Sequence, residues 1–217
     1  MTPHGNGVHE STVVLMRHGQ SEWNRSRRLA GRSDVALSDL GRKQASAARA
    51  VVARLSPGSV VCSPLQRARE TAALLGHPSP LIENDLQEND VGQWTGRSID
   101  ELIEQHGPAY RRWRNGQASP PGGEDWKDLS DRVEQAILPH VAGGGTVLIV
   151  AHGGVIRAAV SRLVGTSLQH MAAVDPASLT VVRGSSTPGG DTQFRLAVYN
   201  WTLTLFDENR ITSQAAR

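Results

Sequence analysis

The chain has 217 residues, with 23 Lys plus Arg against 21 Asp plus Glu and a formal net charge of +2. A domain of this length buries roughly 70% of the surface its unfolded chain exposes, so it needs no disulfide scaffold, and so small a charge makes no electrostatic case for nucleic acid. The single cysteine, Cys62, excludes an internal disulfide and fits a reducing compartment, while the absence of any run of about 18 apolar residues excludes a membrane-spanning helix.

Strand and helix signals alternate along the chain. Residues 1–11 are polar, with Pro3, Gly5 and Gly7, and lack the apolar core of a signal peptide; they read as a flexible tail on a cytoplasmic protein. Val13-Val14-Leu15-Met16 is apolar enough to be a strand buried on both faces. After a polar, Arg-rich loop, a helix from near Ser38 carries Leu40, Ala45, Ala48, Val52 and Leu55 at near-helical spacing until Pro57-Gly58 stops it. A strand is expected at 59–62, and Ser63-Pro64-Leu65-Gln66 has the form of a capping box opening a helix that Gly76 closes. Residues 81–123 read as irregular, with a short strand, two short helices, a second capping device at Ser98 and Glu101, and a stop at 119–123. A longer helix begins near Asp125, its face marked by Trp126, Leu129, Val133, Ala136, Ile137 and Val141. Val147 to Ala151 is the next strand, 154–164 a helix, and strands at 178–183 and 195–201 flank a Gly-rich loop before a second flexible tail at 207–217. The alternation predicts one α/β domain over 12–206, a three-layer α/β/α sandwich with a mostly parallel central sheet.

Two of these strands end in His-Gly, at His18-Gly19 and His152-Gly153. In parallel sheets ligands sit at the carboxyl ends of the strands, so both imidazoles are expected at one rim. Arg17-His18-Gly19-Gln20-Ser21, with Asn24 beyond, puts an imidazole beside a guanidinium, a glycine that admits close backbone approach, and small polar donors. These parts hold a tetrahedral anion against a nucleophile, and phosphorus is the natural electrophile. Arg67, early in its helix, is placed to share the same oxygens in bidentate fashion, and Gly153-Gly154 opens a helix whose amides favour an anion. Ser63 and Thr71 read as cap and packing residues. Cys62 and Arg67 enclose four residues including a proline, too short a loop for a cysteine-dependent phosphatase, so the thiol reads as core packing.

Arg17-His18-Gly19 with Ser21 and Asn24, the segment Ser63 to Ala68, Leu86-Gln87-Glu88 followed by Gly92-Gln93-Trp94-Thr95-Gly96, and Ala151-His152-Gly153-Gly154 resemble the four signature blocks of the histidine phosphatase superfamily, in its phosphoglycerate-mutase-like branch. The blocks occur in the family's order and span most of the chain. The resemblance implies a phosphomonoesterase that acts on a small phosphorylated metabolite through a phosphohistidine on His18. Arg17, Arg67, His152 and Asn24 would hold the phosphoryl oxygens, with Ser21 and Gly153 beside them, and Glu88 would act as general acid and then base, which requires its acid form near neutral pH. Arginine and histidine supply the positive charge, so neither a metal nor a cofactor is expected. Residues 88–126, with Trp94, Tyr110, Arg111, Arg112, Trp113, Arg114 and Trp126, are the expected specificity segment; packing accounts for Trp94 and Trp126, while the three arginines are left open between substrate and solvent. Arg25, Arg27, Arg28 and Arg32 are either a recruiting rim or a solvated face, and the remaining histidines are assigned no role. A mutase is the alternative within the family, disfavoured because the chain is short between Glu88 and Gly122-Gly123-Glu124; a non-catalytic phosphate-binding module is the alternative outside it. No nucleic-acid or membrane partner is expected, and the edge strands leave room for a homodimer.

Overall fold

The computed structural model describes residues 9–187 and 192–203. In chain order the elements are β1 (His9–Arg17), α1 (Glu22–Arg25), α2 (Asp39–Leu55), β2 (Ser59–Cys62), α3 (Gln66–Leu74), β3 (Leu81–Ile82), α4 (Ile99–Arg114), α5 (Trp126–Val141), β4 (Gly145–Ala151), α6 (Gly153–Val164), β5 (Leu179–Ser186) and β6 (Gln193–Trp201). One six-stranded sheet runs β3-β2-β4-β1-β5-β6. The pairs β2·β3, β2·β4 and β1·β4 are parallel, and β1·β5 and β5·β6 are antiparallel.

Period-two burial explains the layering. In β1, Val13 and Leu15 face the layer of α5 and α6, whereas Val14 and Met16 face α2 and α3; in β4, Val147, Ile149 and Ala151 alternate in the same way with Leu148 and Val150. With both faces covered, these strands are continuous apolar runs. The buried residues of α5 are Trp126, Leu129, Val133, Ala136, Ile137 and Val141, one stripe at helical spacing, and Asp125 caps the helix by accepting from the Asp128 N–H at 2.8 Å. α2 is capped by Ser38 and ends at Ser56 in the left-handed conformation, directly before Pro57.

Four local expectations change. β1 begins at His9, so residues 9–11 are strand rather than tail, paired with Ser186, Ser185 and Gly184; residues 1–8 and 207–217, the rest of the expected tails, and residues 188–191 of the Gly-rich loop lie outside the described residues. α3 starts at Gln66 with Leu65 as an uncapped N-cap, because the Ser63 hydroxyl is engaged elsewhere. Ser98 does cap α4, through the Asp100 N–H at 3.2 Å, without a return bond from Glu101. The two short helices expected between 81 and 123 are two 3₁₀ turns, at 84–86 and 92–94, and the single bent α4, whose His106 leaves helical geometry just before Gly107-Pro108. Proline removes an amide donor and crowds the preceding turn, which bends the helix without ending it.

The register places function. Arg17 is level with Ala151, and Cys62 with Val150, so the residues that follow, His18, His152 and Ser63, leave the sheet side by side at its carboxyl rim.

Candidate active site

Backbone hydrogen bonds continue the sheet one residue past its ladders: His18 N–H donates to Ala151 O and Ser63 N–H to Val150 O, each at 3.0 Å. The turn after His18 is held by its own contacts. Gly19 N–H donates to Thr71 Oγ1 at 3.1 Å, and Thr71 Oγ1 donates in turn to Arg67 O at 2.8 Å, tying the rim to α3. A Cβ on Gly19 would stand 2.3 Å from Gly41 O, and one on Gly41 would stand 2.0 Å from Gln20 O, so two glycines allow the start of α2 to press against the rim.

His18 is 2% exposed. Its Nδ1 lies 2.6 Å from the carbonyl oxygen of Gly19, which only accepts, so Nδ1 carries the hydrogen. Its Nε2 lies 3.2 Å from Nε of Arg67, which only donates, so Nε2 presents the lone pair. Burial first, and then the charges of Arg67 and Arg17, hold His18 well below the ordinary histidine value of 6.5 and keep that lone pair free of a proton. Arg67, buried at 1% exposure, also donates to Ser33 O at 2.7 Å and Gly31 O at 2.8 Å. Burial lowers it to about 10, still cationic at neutral pH. Arg17 donates to Val174 O through Nη1, while its buried Nε has no partner among the described residues.

His152, fully buried, packs edge to face on His18 with ring centres 5.1 Å apart. Its Nε2 is 2.7 Å from Ser63 Oγ. That oxygen also accepts from the Leu65 N–H at 3.4 Å; where its own hydrogen goes to Nε2, the hydrogen of the neutral His152 ring sits on Nδ1. No acceptor meets that Nδ1 among the described residues. Burial first, then Arg67, His18 and Arg17, hold His152 well below 6.5 as well.

Glu88 reaches the same place from the loop after β3. Its carboxylate accepts from the N–H of Asn89 at 2.9 Å and of Gly154, in the first turn of α6, at 3.2 Å. Arg132 on α5 braces that loop by donating to the carbonyls of Asp85, Gln87 (2.8 Å) and Glu88 (3.3 Å), and it pairs with Glu124 at 2.6 and 2.9 Å. Burial pulls the Glu124 carboxyl upward, but the hydrogen bonds and charge of Arg132 outweigh that, leaving it below the ordinary carboxylate value.

A cavity of about 240 Å³ opens at this rim, its wall including Arg17, His18, Asn24, Arg67, Glu88 and Gly153, whereas His152, expected with them, packs on His18 and is not part of that wall. Ser21 does not reach it. Its side chain accepts from Asn24 N–H while Asn24 Oδ1 accepts from Ser21 N–H, both at 3.1 Å, a reciprocal cap of α1 that fixes Asn24 at the wall. Of the three arginines left open, Arg114 lines the cavity and Arg111 and Arg112 are exposed. Arg25, Arg27 and Arg32 are paired with Glu22, Asp100 and Glu124, while Arg28 joins the wall. Trp94 is core, 3% exposed, and Trp126 is both core and wall. The Cys62 thiol is buried and pushed up to about 12. Sequence reasoning missed Ser63, Arg132 and Arg157 as parts of the site; only a hydrogen-bonding geometry distinguishes them from a cap, a surface cation and a helix residue.

The sequence profile described as Histidine phosphatase superfamily (branch 1) matches residues 13–201. A glucosyl-3-phosphoglycerate phosphatase of Mycolicibacterium vanbaalenii is 34% identical over 210 residues, covering 87% of this chain and 93% of its own. A 2,3-bisphosphoglycerate-dependent phosphoglycerate mutase of Methylorubrum extorquens is 36% identical over 183 residues, covering 78% and 86%. Among solved structures, a mycobacterial glucosyl-3-phosphoglycerate phosphatase complexed with VO3 superposes with a TM-score of 0.81 at 30% identity, covering 88% of this chain and 100% of that one. With the profile spanning nearly the whole described fold, the chain belongs to the histidine phosphatase superfamily, branch 1.

Proposed function

We propose that this protein is a metal-independent phosphomonoesterase that passes the phosphoryl group of a small phosphorylated metabolite to Nε2 of His18 and then to water. The observation that carries this is the state of His18: an unprotonated Nε2, oriented by the Gly19 carbonyl on the far nitrogen and set beside the Arg67 guanidinium. Nε2 attacks phosphorus in line with the ester oxygen; the N–P bond forms as the P–O bond breaks, and Glu88 in its acid form gives its proton to the departing alkoxide. The Glu88 carboxylate then takes a proton from water as the water oxygen attacks phosphorus. The N–P bond breaks, inorganic phosphate leaves, and Nε2 recovers its lone pair.

Arg17, Arg67, the Nδ1–H of His152 and the Gly153 amide hold the equatorial oxygens, with Asn24 alongside and Ser21 acting only by fixing Asn24. The unpartnered Arg17 Nε and His152 Nδ1 support this assignment, since buried donors without acceptors are costly unless a ligand supplies them. The modest cavity and the phosphatases among the relatives favour a small phosphoester as substrate.

Turnover of p-nitrophenyl phosphate in EDTA tests the proposal. The wild type releases p-nitrophenol, His18→Ala loses about 10³-fold or more, and alkaline denaturation during turnover traps base-stable, acid-labile phosphate on residue 18. No release, or no trapped phosphate, rejects it. The Methylorubrum relative favours a second reading as a mutase. Formation of 2-phosphoglycerate from 3-phosphoglycerate faster than phosphate release would select that one.

A further inference from the structure

The run Gly122-Gly123-Glu124 lies outside the cavity wall, yet it presses against the loop that carries Glu88. A Cβ on Gly123 would stand 2.5 Å from Asp90 O, and Glu124 N–H donates to that same oxygen at 2.8 Å. The Glu124 carboxylate, on a side chain only 11% exposed, gathers three groups: Nε and Nη2 of Arg132 at 2.6 and 2.9 Å, Nη2 of Arg32 at 3.2 Å, and the Asp90 N–H at 3.3 Å. Both arginines also grip the backbone of Glu88. Arg132 Nη2 donates to Glu88 O at 3.3 Å, and Arg32 Nε donates to the same carbonyl at 3.4 Å.

The carboxylate of Glu88 is held differently. It accepts from the backbone N–H groups of Asn89 and Gly154 and forms no ion pair among the described residues. A Cβ on Gly154 would stand 2.3 Å from Glu88 Oε1, so the bare glycine lets this carboxylate lie against the first turn of α6, beyond ion-pair reach of the two arginines at its own carbonyl. Left alone, two guanidiniums that close would draw the Glu88 side chain into charge-assisted hydrogen bonds, and a carboxyl group so paired gives up its acid form. Glu124 supplies the negative charge they need. Two neighbouring carboxyl groups thereby take opposite duties, one fixed as an anion and the other left able to carry a proton.

We infer that Glu124 is a positioning residue for proton transfer: it occupies Arg132 and Arg32, so that the side chain of Glu88 stays free of both and meets the leaving oxygen instead. The inference rests on the phosphatase reading, with Glu88 as the acid.

Substituted phenyl phosphates, from p-nitrophenyl to p-methoxyphenyl, test it through kcat/KM. p-Nitrophenolate departs without a proton, whereas the more basic p-methoxyphenolate needs one, so the ratio of the two kcat/KM values reads proton delivery in the first chemical step. With both substrates assayed on one preparation, the ratio cancels any loss of folded enzyme, and a role in stability alone lowers both alike. Glu124→Gln, which keeps the shape and removes the charge, should hold p-nitrophenyl phosphate within about threefold of wild type and lower p-methoxyphenyl phosphate at least about tenfold. Glu88→Gln should move the ratio in the same direction, and Glu124→Gln added to it should move it no further. An unchanged ratio in Glu124→Gln, or a further change in the double variant, overturns the inference and leaves the phosphatase reading in place. A ratio untouched by Glu88→Gln removes Glu88 as the acid and the inference with it, and wild-type silence toward the whole series overturns the phosphatase reading as well.

Discussion

Ser63 shows how one hydroxyl can serve a reaction it never touches. With its hydrogen on Nε2 of His152, it leaves Nδ1, which meets no acceptor among the described residues, to carry the N–H assigned in the proposal to a phosphoryl oxygen. Ser63→Ala should lower kcat roughly tenfold with KM for p-nitrophenyl phosphate within about twofold, and Ser63→Thr should restore most of the loss. Equal loss in both variants would mean the hydroxyl only fills space. In the sequence Ser63 was hidden, because Ser-Pro before a helix reads as a cap wherever it occurs, and nothing local says that a histidine 89 residues away will claim the oxygen. His18, Arg67 and His152 were legible as candidates for the opposite reason: each lies at or just past a strand end in a short run whose residue types suit an anion, whereas Glu88 was legible only through the family resemblance. Asn24 and Ser21 were legible as a pair but not as separate roles, since the reciprocal cap is a matter of side-chain direction.

At the scale of elements, bending decides which residues of α4 face the cavity. The break at His106 turns the second half of the helix so that Arg114 and Trp113 meet the wall while Arg111 and Arg112 face solvent. Arg111→Ala and Arg112→Ala should therefore keep kcat/KM within about twofold of wild type on any substrate the enzyme turns over, and a loss beyond about fivefold in either would place that arginine on the substrate. Composition alone could not choose among three arginines within four positions, because the choice depends on where a proline bends the helix. α2 makes a different demand. Gly41 lies in its first turn, and an added Cβ would meet backbone atoms of Gln20, which cannot swing aside as a side chain would. Gly41→Ala should cost about 3 kcal/mol, read as a lower urea midpoint, whereas an unchanged midpoint would show that the rim yields.

For the whole molecule, two neutral imidazoles in the interior couple stability to pH. Both His18 and His152 are held well below 6.5, so on acidification the unfolded chain takes up their protons before the folded one does. Their contribution is complete above about pH 7 and is lost as pH falls through 6.5 toward the depressed folded values, with a slope of up to about 1.4 kcal/mol per pH unit for each. Urea unfolding from pH 8 to 5.5 should show that decline, and His18→Asn should reduce its slope by about half; parallel slopes in the two proteins would contradict it. The layered architecture and the shared rim were readable from two apolar runs ending in His-Gly, because strands buried on both faces tolerate little else. The antiparallel edge of β5 and β6 was less so, since partly exposed strands carry mixed residues that fit either direction.

Strand order also sets when the enzyme can exist during synthesis. β1 and β2 are not neighbours in the sheet; β4 lies between them and pairs with both. A nascent chain that has emerged through residue 142 already contains His18, Arg67 and Glu88, yet of its strands only β2 and β3 are sheet neighbours, and β1 is joined to neither. The shared rim is therefore assembled late, when the seven residues of β4 slot into the gap and carry the second imidazole with them.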